Sequence, residues 1–214
     1  MQDGEAIIER RETAGVIRLN RPRALNSLTL PMIRAITEAL HAFAGDSEVA
    51  SVVAMGEGER GFCAGGDIRA LHESARAGDG LAASFWREEF RLNHMIASYP
   101  KPYVALMDGI TMGGGVGLSS HGRHRIVTER TRLAMPETGI GYVPDVGATW
   151  LLPRAPAVRY QCLQWVFFQV GGIGPMFGQL GFFHKFAGRE WQDKRPRDRY
   201  VAESRRLLKV VDQH

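Results

Sequence analysis

Short apolar segments alternate along the first two thirds of the chain with segments of helical period. Residues 15–19 are rich in branched side chains and end at Asn20-Arg21-Pro22, which predicts a strand entering a turn. Thr29 is then an N-cap, and Gly45 ends the helix that follows. The apolar residues between them recur at helical spacing: Met32, Ile33, Ile36, Leu40 and Phe43.

The same alternation continues beyond residue 45. Residues 49–55, 103–107 and 125–128 have the length and composition of strands. Ser84 is the expected N-cap of a helix that carries Phe85, Leu92 and Ile96, and a helix of small residues is expected after the glycines at 113–115. Strand, glycine-rich turn and helix therefore alternate, which predicts an α/β fold built in layers.

Two glycine-rich loops lie between a predicted strand and a predicted helix, at residues 63–67 and 112–117. Glycine lets the backbone approach a ligand, and the amides of a first helical turn lack internal partners. Two such loops facing each other would offer two N–H donors to one oxygen, as in an oxyanion hole. On glycine content alone, tight turns or close helix packing explain these loops at least as well.

The loops do not fit three other motifs. No Gly-Lys-Ser/Thr follows them, which excludes a phosphate-binding P-loop. Ser120 stands where a dinucleotide fingerprint needs its third glycine, and residues 117–121 lack the last glycine of a serine-hydrolase elbow.

Two carboxylates, Glu137 and Asp145, lie eight residues apart in an apolar stretch rich in glycine and proline. Partial desolvation there would raise their pKa values and suit them to acid–base chemistry. A cap at Glu137 or a turn at Asp145 accounts for the spacing equally well. A third acid, Glu89, is expected on a solvated helix face or paired with Arg87 or Arg91.

Composition separates the chain into two parts. Of its 214 residues, 44% are hydrophobic and 23% are charged, as in ordinary globular proteins. Residues 1–156 carry 17 Lys and Arg against 18 Asp and Glu, whereas residues 157–214 carry 10 against 5 and hold 10 of the 19 aromatic residues. The net charge of +4 therefore reflects the second part and does not indicate nucleic-acid binding.

Cysteine and histidine give no metal or disulfide pattern. Cys63 and Cys162 fit a reducing compartment or two unpaired thiols, and Cys63 is expected to be a small buried filler. The seven histidines lack ligand spacing, so neither a metal nor a cofactor is expected. The first residues have no apolar core of a secretory signal.

Four motifs, in this order and spacing, resemble the crotonase (enoyl-CoA hydratase/isomerase) superfamily. They are Leu-Asn-Arg-Pro at 19–22 with Ala-Leu-Asn at 24–26, Phe-Cys-Ala-Gly-Gly-Asp-Ile at 62–68, Gly-Gly-Gly-Val-Gly at 113–117 and Pro-Glu at 136–137. The resemblance covers about residues 5–156 and implies an α/β crotonase-like (ClpP/crotonase) spiral of ββα units. Residues 86–89, 109–119 and 134–147 are most similar to the branch of hydrolases that act on 3-hydroxyisobutyryl-CoA in valine breakdown.

The resemblance also implies a site. A thioester carbonyl oxygen would accept hydrogen bonds from the N–H groups of Gly66 and Gly114. In hydrolases of the family, the residues matching Glu89, Gly114, Glu137 and Asp145 line the acyl site. The expected coenzyme A contacts are Arg23, Ala24, Leu25, Ala64, Gly65, Gly66, Asp67 and Ile68.

One position favours hydrolysis over hydration. Hydratases of the family carry two catalytic glutamates, one matching Glu137 and one at the position of Gly117, which has no side chain here. The expected function is thioester hydrolysis, in which Glu137 attacks the carbonyl or activates a water and Asp145 assists with the 3-hydroxyl or a proton. The alternatives are an enoyl-CoA hydratase or isomerase, and an inactive truncated subunit that only binds.

After about residue 156 the resemblance ends. Residues 160–183 are uncharged, but their glycines, glutamines and Pro175 argue against a membrane span. The basic residues 185–206 are expected to be solvated or disordered, and residues 201–211 to form an amphipathic helix; a reading-frame change is one hypothesis for this tail. The expected partner is an acyl-CoA in the cytoplasm, with no nucleic acid or membrane and with homo-oligomer formation left open.

Overall fold

The computed structural model describes residues 4–137, 143–151, 179–180, 182–183 and 190–212. The chain divides into two compact units, the first made of residues 1–136 and 144–148 and the second of residues 137–143 and 149–214. The predicted division at residue 156 lies outside the described residues and stays a prediction.

In the described residues of the first unit, eight strands form two sheets. They are β1 (Ala6–Arg11), β2 (Ala14–Leu19), β3 (Ser51–Gly56), β4 (Gly61–Cys63), β5 (Tyr103–Met107), β6 (Ile110–Met112), β7 (His124–Val127) and β8 (Arg132–Ala134). One sheet has the order β1-β2-β3-β5-β7 and the other β4-β6-β8. Among these eight strands β1 and β2 pair antiparallel, and the other neighbours pair parallel. From β3 onward each consecutive pair of strands gives one strand to each sheet, which confirms the expected spiral of ββα units.

The helices follow the predicted pattern with one correction. They are α1 (Leu30–Gly45), α2 (Ile68–Ala77), α3 (Leu81–Ala97), α4 (Gly114–Ser120), α5 (Ala148–Leu151) and α6 (Arg195–Asp212). Thr29 is the N-cap of α1, since its Oγ1 accepts a hydrogen bond from the amide of Met32, and the helix ends at Gly45 as predicted. Ser84 is not the cap of α3.

The start of α3 is set by the loop before it. Gly80 adopts a left-handed conformation with φ of 79°, and the helix begins at Leu81. The carboxylate of Asp79 accepts a 3.0 Å hydrogen bond from the Leu81 amide, satisfying one donor of the first turn. Ser84 therefore lies one turn inside the helix, because a nearby glycine and aspartate terminate the loop earlier.

The core of the first unit lies where α1 packs on β1, β2 and α3. The buried face of α1 includes the predicted residues Ile33, Ile36 and Leu40, each fully buried. Burying one such side chain stabilises the fold by roughly 1.5–3 kcal/mol. This packing fixes α3, which carries two polar residues of the site described below.

The described part of the second unit consists mainly of α6. This helix contains the predicted helix at 201–211 and begins six residues earlier, at Arg195. Tyr200 stacks on Phe183 with ring centroids 5.6 Å apart, and Trp191 packs edge-on against Phe183 at 5.5 Å. Its exposed arginines form salt bridges of 2.6–2.7 Å: Arg195 with Asp193, Arg197 with Asp198 and Arg206 with Glu203. These three arginines are thus ion-paired and at least partly exposed to solvent, in agreement with the expected solvation of the basic residues.

In the described part of the chain, every helix is too short or too polar to cross a bilayer. Most of the uncharged segment at 160–183 lies outside the described residues.

Candidate active site

The first glycine-rich loop is held by Leu28. The Leu28 amide donates to the carbonyl of Gly65 at 2.8 Å, and the Asp67 amide donates to the carbonyl of Leu28 at 2.9 Å. These two bonds form an isolated parallel bridge between Leu28 and Gly66. In such a bridge the central residue turns its own N–H away from its partner, so the Gly66 N–H faces away from Leu28.

The second glycine-rich loop contacts the first. Gly113 has φ of 49° and Gly65 has φ of 103°, conformations that favour glycine at both turns. A Cβ placed on Gly65 would lie 3.4 Å from the nitrogen of Gly114. Across the described residues, the amides of Gly66 and Gly114 donate to no acceptor. The two predicted donors thus lie in adjoining segments with their hydrogens available.

Glu89 lies beside Gly114. It is 3% exposed on α3, and a Cβ placed on Gly114 would overlap its Oε1. The expectation of a solvated Glu89 is wrong, whereas its expected pairing with Arg87 or Arg91 stays a prediction. The neighbouring Glu88 is the glutamate that pairs at the surface. Its carboxylate accepts hydrogen bonds of 2.7 and 2.8 Å from the guanidinium of Arg34.

The sequence held a signal for this burial. Glu89 follows Phe85 by four residues and precedes Leu92 by three, so it shares their helix face. Phe85, Glu89 and Leu92 are all buried. Helical spacing would therefore have placed the carboxylate inside, against the general preference of glutamate for solvent.

Asn93 lies on the same helix face as Glu89 and is not among the candidates named from the sequence. It is 4% exposed and lies one turn after Glu89. A Cβ placed on Gly117 would lie 2.7 Å from its Nδ2 and 2.9 Å from its Oδ1. In the described part of the molecule, neither carboxamide atom has a hydrogen-bond partner. Its four-residue spacing from Glu89 was the signal available.

Asp145 is half-buried in the described segment that begins at residue 143, and burial raises the pKa of its carboxyl. Its carbonyl accepts a 2.8 Å bond from the Ala148 amide, so it also begins a turn, as one interpretation expected. The carbonyl of the next residue, Val146, lies 2.7 Å from Nε2 of His121. Asp145 is therefore tied to the C-terminal end of α4.

Glu137 belongs to the second unit. It is 8% exposed, in a short helical turn that follows β8. Residues 138–142, between it and Asp145, lie outside the described residues. Its expected catalytic role stays a prediction.

The structure brings together the two segments expected to bind coenzyme A. Arg23 and Ala24 lie in a short 3₁₀ helix, and the Ala64 amide donates to the carbonyl of Leu25 at 3.0 Å. Arg21 bonds to Asp67 at 2.9 Å and so links the same segments. Ile68, the last of the expected contacts, is 56% exposed.

Asp67 has two partners that keep it ionised. Burial on its own raises the pKa of this carboxyl, but the Arg21 guanidinium and the Ala70 amide outweigh that effect and lower it. The Ala70 contact makes Asp67 the N-cap of α2.

Cys63 is fully buried, as predicted for a filler. Burial raises the pKa of its thiol to about 12, so the thiolate nucleophile is not formed near neutral pH. Within the described segments, no three His, Cys, Asp or Glu side chains are grouped as metal ligands.

Comparison with known proteins finds a family model and curated relatives that match most of the chain. A family model described as enoyl-CoA hydratase/isomerase matches residues 14–160. A Xenopus tropicalis protein named 3-hydroxyisobutyryl-CoA hydrolase, mitochondrial, is 55% identical over 156 residues, which is 73% of this chain. The Danio rerio protein of the same name is 58% identical over 150 residues, or 70% of this chain.

Solved structures share the fold. A crystal structure of an enoyl-CoA hydratase from Rhodobacter sphaeroides is 53% identical, with a TM-score of 0.69 over 73% of this chain and 47% of that one. A carnitinyl-CoA dehydratase from Mycobacterium thermoresistibile is 36% identical, with a TM-score of 0.72 over 95% of this chain and 66% of that one. The chain spans about 40% of the length of the curated relatives it matches.

Proposed function

The chain belongs to the enoyl-CoA hydratase/isomerase family, and we propose that it hydrolyses the thioester of a short 3-hydroxyacyl-CoA, with 3-hydroxyisobutyryl-CoA as the leading substrate. The names of the two curated relatives support this substrate. Valine breakdown is the metabolic role that we propose with it.

The observation that carries the choice of reaction is the contact between Gly117 and Asn93. Adding water across a double bond needs two groups that move protons, and family hydratases place one of them at position 117. Here that position has no side chain, and the carboxamide of Asn93 fills the adjoining space. A carboxamide does not exchange a proton near neutral pH. Hydrolysis, which needs one nucleophile or base, fits this arrangement better than hydration.

In the proposed reaction, the carbonyl oxygen of the thioester accepts hydrogen bonds from the amides of Gly66 and Gly114. Glu137 either attacks the carbonyl carbon or takes a proton from the attacking water. The new C–O bond forms, the negative charge collects on the carbonyl oxygen, and the C–S bond breaks as the oxyanion collapses. Coenzyme A leaves as the thiol. Direct attack by water gives the hydroxy acid in the same step, whereas attack by Glu137 leaves an anhydride that a water then hydrolyses to the hydroxy acid and the free carboxylate.

Asp145 is proposed to assist with the 3-hydroxyl or with the proton that the leaving thiolate takes up. The raised pKa of its half-buried carboxyl supports a proton-holding role. Its attachment to the end of α4 through Val146 and His121 fixes the backbone that carries it.

The test is thiol release from 3-hydroxyisobutyryl-CoA by the unchanged chain and by Glu137→Gln. We expect release by the unchanged chain and a loss on the order of 10³-fold in the variant. Glu129→Gln, at an exposed glutamate eight residues earlier, is the matched control and should keep full activity. Equal rates for Glu137→Gln and the unchanged chain would overturn the assignment.

A single turnover in ¹⁸O-water separates the two roles of Glu137. Label incorporated into the Glu137 carboxylate indicates an anhydride intermediate. Label found only in the released hydroxy acid indicates that water attacked the acyl carbon, as it does in direct hydrolysis.

Hydration is the second candidate, favoured by the bacterial structure described as an enoyl-CoA hydratase at 53% identity. It predicts that absorbance of the conjugated thioester of crotonyl-CoA is lost without release of thiol. A third outcome, coenzyme A binding with neither reaction, would make the chain a binding subunit.

The cytoplasmic location is proposed from the sequence alone, whereas the curated relatives are named as mitochondrial. Cell fractionation with an antibody to this chain tests it, and recovery in mitochondria would overturn it. Sedimentation velocity of the purified chain tests the proposed capacity to form homo-oligomers.

A further inference from the structure

We propose that Asn93 is a specificity-determining residue, whose carboxamide binds the hydroxyl group on the third carbon of the acyl chain. This inference rests on the proposed function because it assigns the acyl group its place beside Gly114. It goes further in naming a residue outside the expected site and the substrate atom that this residue recognises.

The first argument is that a buried carboxamide lacks partners. Asn93 is 4% exposed, and neither Nδ2 nor Oδ1 bonds to any group in the described part of the chain. Buried polar groups in folded proteins are nearly always paired, so an unpaired one calls for an explanation. Asn26 shows the ordinary case, since its amide donates to two carbonyls and its Oδ1 accepts from a backbone N–H.

The second argument is the point on α4 that Asn93, a residue of α3, contacts. Glu89 contacts Gly114 and Asn93 contacts Gly117, so successive turns of α3 follow successive turns of α4. A helix rises about 1.5 Å per residue, which puts Gly117 about 4.5 Å beyond Gly114 along the axis. In a 3-hydroxyacyl thioester, three bonds of about 1.5 Å carry the hydroxyl about 4 Å from the carbonyl carbon. The two separations agree.

The third argument is chemical. A hydroxyl group offers one donor and two acceptor positions, and a carboxamide offers two donors and an acceptor. One hydroxyl therefore donates to Oδ1 and accepts from Nδ2, whereas a methyl or methylene group at that place leaves both atoms without a hydrogen bond. Sites built to bond a hydroxyl reject the analogue that lacks it, because their polar groups stay buried without partners.

Stability separates this role from a structural one. If Asn93 only holds α3 against α4, replacing it with leucine of similar size should lower the melting temperature. If it waits unpaired for a ligand, removing two unsatisfied polar atoms should leave the melting temperature of the free chain unchanged or raise it. We expect the second result for Asn93→Leu.

The experiment measures binding by calorimetry with two analogues in which a methylene group replaces the thioester sulfur. One carries the 3-hydroxyisobutyryl group and the other the isobutyryl group. The unchanged chain should bind the hydroxylated analogue at least about tenfold more tightly, the effect of one good hydrogen bond. In Asn93→Leu the two affinities should agree within about twofold, with the isobutyryl analogue bound as before.

His94→Leu, at the exposed neighbour on α3, is the matched control and should keep the tenfold ratio. Asn93→Ala provides the same readout if the leucine variant does not fold. An unchanged ratio in the Asn93 variants, no hydroxyl preference in the unchanged chain, or no binding of either analogue would each overturn the inference. Since the analogues are not hydrolysed, the ratio is independent of thiol release, whose absence would count against the proposed function alone.

Discussion

The carboxyl group of Glu89 occupies the space that a side chain at Gly114 would need. A Cβ at position 114 would overlap Oε1 of Glu89 and lie 3.1 Å from Cδ1 of Leu28. Leu28 is the residue that holds the opposite loop through Gly65 and Asp67. Position 114 is therefore closed on both sides, by Glu89 of α3 and by Leu28.

Gly114→Ala should lower both stability and activity. The added methyl group displaces Glu89 or Leu28, at a cost of about 1–3 kcal/mol in the free energy of unfolding. A displacement of the amide by about 1 Å is expected to reduce thiol release on the order of 10²-fold. Urea denaturation and the thiol assay measure the two effects. Gly45→Ala, with no atom near the new methyl group, is the control. It should change the free energy of unfolding by less than about 1 kcal/mol and leave thiol release unchanged.

Gly117→Glu and Asn93→Ala should compensate each other. The glutamate side chain collides with the Asn93 carboxamide, so Gly117→Glu alone should lower the free energy of unfolding by about 1–3 kcal/mol. Removing the carboxamide makes room, and the double variant should be more stable than the sum of the single effects predicts, by about 0.5–3 kcal/mol. If the two single effects on the free energy of unfolding simply add in urea denaturation, the contact between Gly117 and Asn93 is contradicted.

Asp145→Asn should stabilise the fold at neutral pH. Burial raises the pKa of this carboxyl in the folded chain, so the folded state binds its proton more tightly than the unfolded state does. Its contribution to stability then falls as pH rises from the unfolded pKa, near 3.9, through the folded value. We expect a higher melting temperature for the variant at pH 7 and none of this gain below about pH 3.9.

Asp108→Asn is the control of opposite sign. Hydrogen bonds from Thr128 and Arg130 lower the pKa of Asp108. Its charged form therefore stabilises the fold above the unfolded pKa, and the variant should melt at a lower temperature at pH 7. Shifts of the same sign in both variants would contradict the assigned causes.

Asp67→Asn and Asp67→Ala should separate the charge of this residue from its helix cap. The folded pKa of Asp67 is lowered, so the stability it contributes is present above the unfolded pKa and is lost as pH falls through the folded value. Asp67→Asn should therefore be less stable than the unchanged chain at pH 7, with the difference shrinking below about pH 3.9. Asp67→Ala should lose about a further 1 kcal/mol at every pH, because asparagine still caps α2 and alanine does not.

Local patterns predicted the elements whose signals lie within a few residues. Thr29 and Gly45 bound α1 as expected, because a cap and a terminator act on adjacent amides and carbonyls. The three-residue strands β4, β6 and β8 have no such signal, since three residues do not show a period. Their pairing joins segments far apart in the chain, such as Ile110 with Arg132.

For the site as well, local features could be predicted from the sequence, whereas contacts between distant segments could not. The glycine-rich loops were visible in the sequence, and their contact through Gly65 and Gly114 needed the sheet that holds them. The spacing of Glu89 and Asn93 on α3 shows a shared face. It does not show that α4 covers that face with two glycines, because the partner helix lies more than twenty residues away.

Each turn of the spiral extends both sheets of the first unit at once. A deletion that removed β5 alone would take away the strand that pairs with both β3 and β7. It would also leave β6 without the partner strand of its repeat. Loss or gain of one complete repeat, with a strand for each sheet and the helix that follows, keeps the order of the remaining strands in both sheets. Insertions of arbitrary size are tolerated only where the backbone leaves the ladder, at the connections and the ends.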